Sequence, residues 1–232
     1  MRLLKGMEIS AWPSSSQGLG VPSDNMRSME TLDEYFSKLA STSPTPGGGS
    51  AAMFVASSGA ALLAMVCRIT AQNAKTKEQK DACERIASQA DVMRDTFVGA
   101  RSLDETAFQS VVNAQKLPKA TDDERAARTT SVQHALQRAA EVPLNAAGDA
   151  VTLLDLIEQA IEFSTPSLRS DLGCAAEFAG AALAACAYNV RINHKYMNDT
   201  AMIAQQSARL TELEQRAALL IQKIRLKLAT AN

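Results

Sequence analysis

Three consecutive glycines, Gly47, Gly48 and Gly49, follow the proline pair Pro44 and Pro46 and lead into Ser50 and a run of small residues. Proline fixes φ, and glycine lets a ligand approach the backbone closely, so the segment reads as a loop feeding a helix that Ser50 caps. Unpaired N–H groups and a partial positive charge at such an N-terminus suit a carboxylate or phosphate. A tight loop between packed helices is the other reading of the same residues. The glycine spacing excludes the dinucleotide and Walker fingerprints, and neither a Lys-Ser/Thr pair nor a preceding strand accompanies it. Two carboxylates stand where a carboxylate needs a reason. Asp104 lies four residues after Ala100 and four before Phe108, on the border of an apolar stripe. From spacing alone it pairs with Arg101 or caps a neighbouring helix, while Glu105, four residues after Arg101, takes a structural role. Asp171, before Leu172-Gly173, reads as an N-cap, which would also fix its side chain at the mouth of a helix. Lys119 follows Pro118 at the end of a long helical pattern, where a cation satisfies the last carbonyls. Asn189, Arg191 and Asn193 bring amides and a guanidinium together, for a ligand or for an interhelical polar network.

The elements that position these residues are all helical. Thr31 and Glu34 form a capping box before a short helix whose face carries Leu32, Tyr35, Phe36 and Leu39. A second helix is predicted from about Ser50 to Ala74. A third carries Ala82, Ile86, Ala90, Met93, Phe97, Ala100, Leu103, Ala107 and Val111 at steps of three and four, and ends near Pro118. Thr121 and Glu124 box the next helix, which Pro143 should kink before it resumes to about Phe163. After the break at Thr165-Pro166-Ser167, Ser170 or Asp171 caps a helix rich in alanine and glycine, whose small side chains let neighbours approach. The last helix starts near Thr200, and its seam Leu210, Leu213, Ala217, Leu220, Ile224, Leu228 is of coiled-coil type and suited to self-association. No segment alternates like a strand. The expected fold is an all-α, single-domain helical bundle with long kinked helices, as a dimer, over 31–232, with a flexible tail over 1–30 whose Met26 or Met29 is an alternative start.

Composition narrows the partners. The 24 basic and 25 acidic residues nearly cancel, which leaves no electrostatic footprint for nucleic acid or an anionic membrane. A small, anionic molecule is the expected partner. The apolar run from Ala51 to Val66 falls short of a bilayer span, and the early Arg2 and Lys5 are not followed by the apolar core of a signal peptide. Cys67, Cys83, Cys174 and Cys186 lack zinc spacing and read as reduced core residues of a cytoplasmic protein, and His134 and His194 lack a metal-ligand pattern.

Eight segments stand together in one order: P-T-P-G-G-G-S-A-A (44–52), A-M-V-C-R-I-T (64–70), D-E-T-A-F (104–108), K-L-P-K (116–119), E-R-A-A-R (124–128), E-V-P-L (141–144), S-D-L-G (170–173) and N-V-R-I-N (189–193). In this the chain resembles the cyclodeaminase/cyclohydrolase domain of the formiminotransferase-cyclodeaminase family, in stand-alone form. The resemblance covers about Leu32 to Asp199. It departs from the family pattern at 72–76 and 165–169. It implies an α-helical homodimer acting on tetrahydrofolate one-carbon adducts without a metal or a redox cofactor. The implied reaction is hydrolysis of 5,10-methenyltetrahydrofolate to 10-formyltetrahydrofolate; the alternatives are a cyclodeaminase that releases ammonia from formiminotetrahydrofolate, or a non-catalytic folate-binding or dimerisation module. The same resemblance assigns catalysis to Asp104, Asp171 and Lys119, one aspartate stabilising the cationic substrate and the other, or the lysine, taking a proton from water. For such a substrate the expected contacts are Gly47, Gly48, Gly49 and Ser50, for an anionic part of the folate or close approach of its ring, and Asn189, Arg191 and Asn193, for a pterin edge or a glutamate carboxylate.

Overall fold

The computed structural model describes residues 30–229, so the expected tail lies almost wholly outside the described residues. These form α1 (Leu32–Leu39), α2 (Gly48–Gln72), α3 (Lys77–Gln115), α4 (Asp122–Ile161), a 3-10 turn (Pro166–Leu168), α5 (Arg169–His194) and α6 (Thr200–Ala229). Among the described residues there is no strand, and the fold is all-α.

Local sequence sets most of the helix ends. Both capping boxes form: the Thr31 and Thr121 hydroxyls accept from the backbone N–H of Glu34 and Glu124, whose carboxylates accept in return from the threonine N–H groups. Two starts differ from expectation. Helix α2 begins at Gly48 with Gly47 as its extended N-cap, so Ser50 lies inside the first turn and does not cap. The 3-10 turn carries the chain straight into α5 at Arg169, which leaves Ser170 and Asp171 as first-turn residues instead of caps. Pro143 is buried within α4, which runs unbroken from Asp122 to Ile161 because tertiary contacts on both sides outweigh the one lost backbone bond.

Helix α2 is the central element, packed between α3 and α5, and α4 closes the bundle against α3 and α5. Met53, Ala56, Ala60, Leu63, Ala64 and Cys67 are all at most 1 % exposed along it. At 25 residues it is longer than the expected apolar run and, by length and composition alone, could cross a bilayer; here 61 % of its most apolar window is buried inside the bundle. The apolar seam of α6 is used within the chain: Leu210, Ala217 and Ile224 are buried against α4 and α5. It is therefore not the free self-association surface that its heptads suggested. Leu103, expected on the α3 stripe, is 57 % exposed, because at that level the inward face of α3 carries Ala100 and Asp104. Three cysteines are buried, while Cys174 is exposed.

Candidate active site

The glycine loop, the C-terminal third of α3, the first half of α4 and the C-terminal end of α5 enclose a cavity of about 500 Å³. Its walls are apolar, with Phe108, Val111, Leu136 and Ile192 among them, and its polar groups converge from three elements: Asp104, Asn189, Asn193 and Thr45. This combination suits a flat, mostly apolar ligand whose polar edge is read by a few fixed groups.

Asp104 is placed by an unusually close approach. A Cβ on Gly49 would lie 2.5 Å from both Asp104 carboxylate oxygens, a separation that only a residue without a side chain permits. The carboxylate thus sits directly on the first turn of α2 and accepts a hydrogen bond from the Ser50 backbone N–H. In effect Asp104 caps α2 from another helix, since Gly47 has no side chain and the first turn of α2 contains no acidic residue. Burial is the larger influence on its proton. It pushes the Asp104 carboxyl up to about 6, opposed by the Ser50 N–H and reinforced by the charge of Glu105. Cys186 of α5 lies on the same side, its thiol pushed up to about 12 by burial and by the Asp104 charge.

Arg101 does not pair with Asp104 or with Glu105, contrary to its spacing. Its Nη1 lies 3.3 Å from Glu30, and its guanidinium stacks 4.8 Å over the Tyr35 ring. Glu105 instead accepts a 2.8 Å hydrogen bond from the hydroxyl of Ser50, which also meets the Tyr35 hydroxyl at 3.1 Å. Ser50, fully buried, therefore ties both carboxylates of α3 to α2, one through its backbone and one through its side chain. Ser50→Ala is expected to leave Tyr35 and Glu105 short of a partner and to lower stability by about 1–3 kcal/mol, read as a shift in the unfolding midpoint.

Asn189 and Asn193 lie one helical turn apart on the face of α5 that lines the cavity. Asn189 donates to the Ala185 carbonyl at 2.9 Å, and Asn193 to the carbonyls of Asn189 and Ala139 at 2.8 and 3.0 Å. Asn193 gives its amide N–H groups to two backbone carbonyls and Asn189 gives one of its two, so both side chains keep a carbonyl oxygen as acceptor and Asn189 also keeps one donor. Gly48 lies against Asn189, and Gly47 and Gly48 line the cavity, whereas Gly49, packed against Asp104, and the fully buried Ser50 are not part of its wall.

The remaining sequence candidates lie elsewhere. Arg191 faces α6 and pairs with Glu214 at 2.7 Å. Lys119 stands in the exposed loop between α3 and α4, four residues beyond the cavity-lining Gln115. Asp171 lies at the opposite end of α5, about 27 Å along the helix from Asn189 at 1.5 Å per residue. Ile192 on α5 and Tyr196 in the turn just after it also stand in the cavity wall, two residues absent from the sequence-based expectation. Their signal was the spacing 189, 192, 193, 196, which is one helical face and passes over position 191. Tyr35 was assigned only to an apolar face; a buried tyrosine hydroxyl needs a partner, and Ser50 is that partner. Among the described residues no group of three or more His, Cys, Asp or Glu is placed to hold a metal ion.

The comparisons with known proteins agree with this architecture. Residues 31–212 match the formiminotransferase-cyclodeaminase family. The chain is 38 % identical over 189 residues to the methenyltetrahydrofolate cyclohydrolase of Methylorubrum extorquens, covering 82 % of this chain and 89 % of that protein. It is 32 % identical over 187 residues to the formimidoyltransferase-cyclodeaminase of Gallus gallus, covering 80 % of this chain and 34 % of that longer protein. The crystal structure of formiminotetrahydrofolate cyclodeaminase from Thermotoga maritima superposes with a TM-score of 0.78 at 27 % identity, over 86 % of this chain and 96 % of that one. With the glycine loop, the Asp104 segment and the Asn189–Asn193 segment all inside the matched region, the chain belongs to the formiminotransferase-cyclodeaminase family.

Proposed function

We propose that this protein hydrolyses 5,10-methenyltetrahydrofolate to 10-formyltetrahydrofolate. The observation that carries the reading is the Asp104 carboxylate, half-buried against the N-terminus of α2 in the wall of a cavity large enough for a pterin ring. Its proton affinity near neutrality is that of a general base. Similarity to a methenyltetrahydrofolate cyclohydrolase over most of both chains supports the same choice.

The bridging carbon of the substrate belongs to a cationic amidinium and is already electrophilic. Hydrolysis needs only an oriented water and a base, so the proposed turnover uses no metal or redox cofactor. Ionised Asp104 attracts the cation and accepts a proton as the water oxygen bonds to the bridging carbon. The carbon–N5 bond then breaks, N5 takes a proton, the formyl group stays on N10, and one proton is released overall. Asn189 and Asn193 offer carbonyl oxygens to the N–H edge of the pterin, and the glycine loop packs against its face. Lys119, in the loop beyond Gln115, is assigned to an anionic part of the folate or to proton transfer at the cavity mouth. The protein is proposed to act as a cytoplasmic homodimer on free folate, with no nucleic acid or membrane partner.

The alternative reading is the cyclodeaminase reaction, which releases ammonia from formiminotetrahydrofolate, favoured by the structural match to an enzyme of that name. Offering purified protein each adduct separately decides between them: methenyl opening without ammonia from the formimino adduct supports hydrolysis, and the reverse result replaces it. A pH profile gives the second check. Because the Asp104 carboxyl is raised to about 6, kcat/KM above the uncatalysed rate is expected to fall as pH drops through about 6. That limb should vanish in Asp104→Asn.

A further inference from the structure

An arginine three residues before one carboxylate and four before another ordinarily pairs with them on a helix. Arg101 does neither with Asp104 and Glu105. Its guanidinium lies 4.8 Å over the Tyr35 ring and 3.3 Å from the Glu30 carboxylate, and its buried Nε has no hydrogen-bond partner among the described residues. A buried donor left without an acceptor is costly, so this placement is held by its surroundings and not by the best bonding open to the side chain. The ring beneath it is fixed. Tyr35 is buried, stacks on Phe54 at 5.4 Å, meets Phe36 edge-on at 5.6 Å and bonds Ser50 through its hydroxyl. Glu30 is fixed as well, because Lys38 of α1 holds its other oxygen at 2.8 Å.

We propose that Tyr35 and Glu30 are positioning residues that act through Arg101: ring and carboxylate draw the guanidinium away from Asp104 and Glu105, so that a cationic substrate meets the Asp104 carboxylate free of any ion pair. The chemistry requires such a device. A guanidinium is always charged, so only displacement, and not loss of a proton, removes its field from the site. Burial and the charge of Glu105 hold the Asp104 carboxyl up at about 6 against the Ser50 N–H, and an ion pair with Arg101 would pull it back toward the ordinary carboxylate range while repelling the substrate's cation. The other elements around Asp104 bring no competing charge. The first turn of α2 has no ionisable side chain, α5 offers Asn189 and the un-ionised Cys186 thiol, and α4 turns Val132, Leu136 and Ala139 toward the cavity. This inference rests on the hydrolysis reading for what the base does, and on the geometry alone for where Arg101 is held.

The titration of the Asp104 carboxyl, followed by carbon-13 NMR of aspartate-labelled protein and assigned by the resonance missing from Asp104→Asn, tests this without turnover. In the wild type the midpoint is expected at about 6, and Arg101→Leu should barely move it. Tyr35→Leu releases the guanidinium and should lower the midpoint by about one pH unit or more; adding Arg101→Leu should bring it back. Tyr35→Phe keeps the ring under the guanidinium and gives up only the bond to Ser50, so its midpoint should stay with the wild type. Glu30→Gln, at the edge of the fold, should give a smaller lowering that Arg101→Leu again reverses, so the test does not depend on the bundle tolerating Tyr35→Leu. An Arg101→Leu effect of the same size in every background, or a Tyr35→Phe midpoint as low as that of Tyr35→Leu, would overturn the proposal. The acid limb of kcat/KM should follow the same order, a pattern that a purely structural Tyr35 would not produce. Midpoints in this order from a wild type without methenyltetrahydrofolate turnover would instead refute the proposed reaction and leave the diversion of Arg101 standing.

Discussion

Asp104→Asn is expected to slow turnover of 5,10-methenyltetrahydrofolate by roughly 100- to 10,000-fold, the usual contribution of a positioned general base, without unfolding the bundle. The asparagine keeps a carbonyl oxygen for the Ser50 N–H but can neither take a proton nor attract the cation. Stability should move the other way. Burial raises the Asp104 carboxyl from an ordinary 3.8 to about 6, so the folded chain binds this proton more tightly than the unfolded chain. The group's favourable contribution to stability is therefore complete below the unfolded value and lost as pH rises through about 6. At neutral pH the ionised carboxylate costs up to ~3 kcal/mol relative to the protonated form. Asp104→Asn should accordingly melt at or above the wild-type temperature at pH 7.5, with the gap closing toward pH 4. Lost activity with a lower melting point at neutral pH would mark Asp104 as a structural residue.

Gly49→Ala is expected to be nearly as damaging to catalysis, although no reactive group is removed. The new methyl carbon would stand 2.5 Å from each carboxylate oxygen of Asp104, well inside contact distance. The obstruction meets the end of a side chain and not a backbone, so the relief is rotation of Asp104 off the α2 N-terminus. Misplacing a reacting group by about 1 Å costs on the order of 100-fold, and combining Gly49→Ala with Asp104→Asn should add little to the single loss. Gly99→Ala serves as the control, because a Cβ there meets nothing within 4 Å. Steady-state rates for the four variants beside the wild type at one pH decide the matter. A Gly49→Ala enzyme close to wild-type rate would show that the contact between α2 and Asp104 has no catalytic consequence.

How much of this could be read from sequence depends on the range of the forces involved. The capping boxes at Thr31 and Thr121 are local chemistry, visible at three-residue spacing and present in the fold. The helical periods and the glycine loop were legible for the same reason. Partner choice was not. Arg101 sits at good spacing for Asp104 and Glu105, yet stacks on Tyr35 and reaches Glu30, because both carboxylates are drawn to the first turn of α2. That turn lies more than fifty residues away in sequence. The role of Ser50 was misjudged because one glycine position decides where α2 starts, and Gly48 begins it. The seam of α6 carried a true heptad signal, but periodicity alone does not say whether the partner is another helix of the same chain or a second copy. In this fold the α6 seam is covered internally, by α4 and α5.

The measurement that tests the central claim most directly is the loss of 5,10-methenyltetrahydrofolate absorbance with purified protein, beside the uncatalysed reaction and the Asp104→Asn protein. The account predicts ring opening well above background, 10-formyltetrahydrofolate as product, and collapse of the rate in the variant. No rate above background, or an undiminished rate in Asp104→Asn, would contradict it.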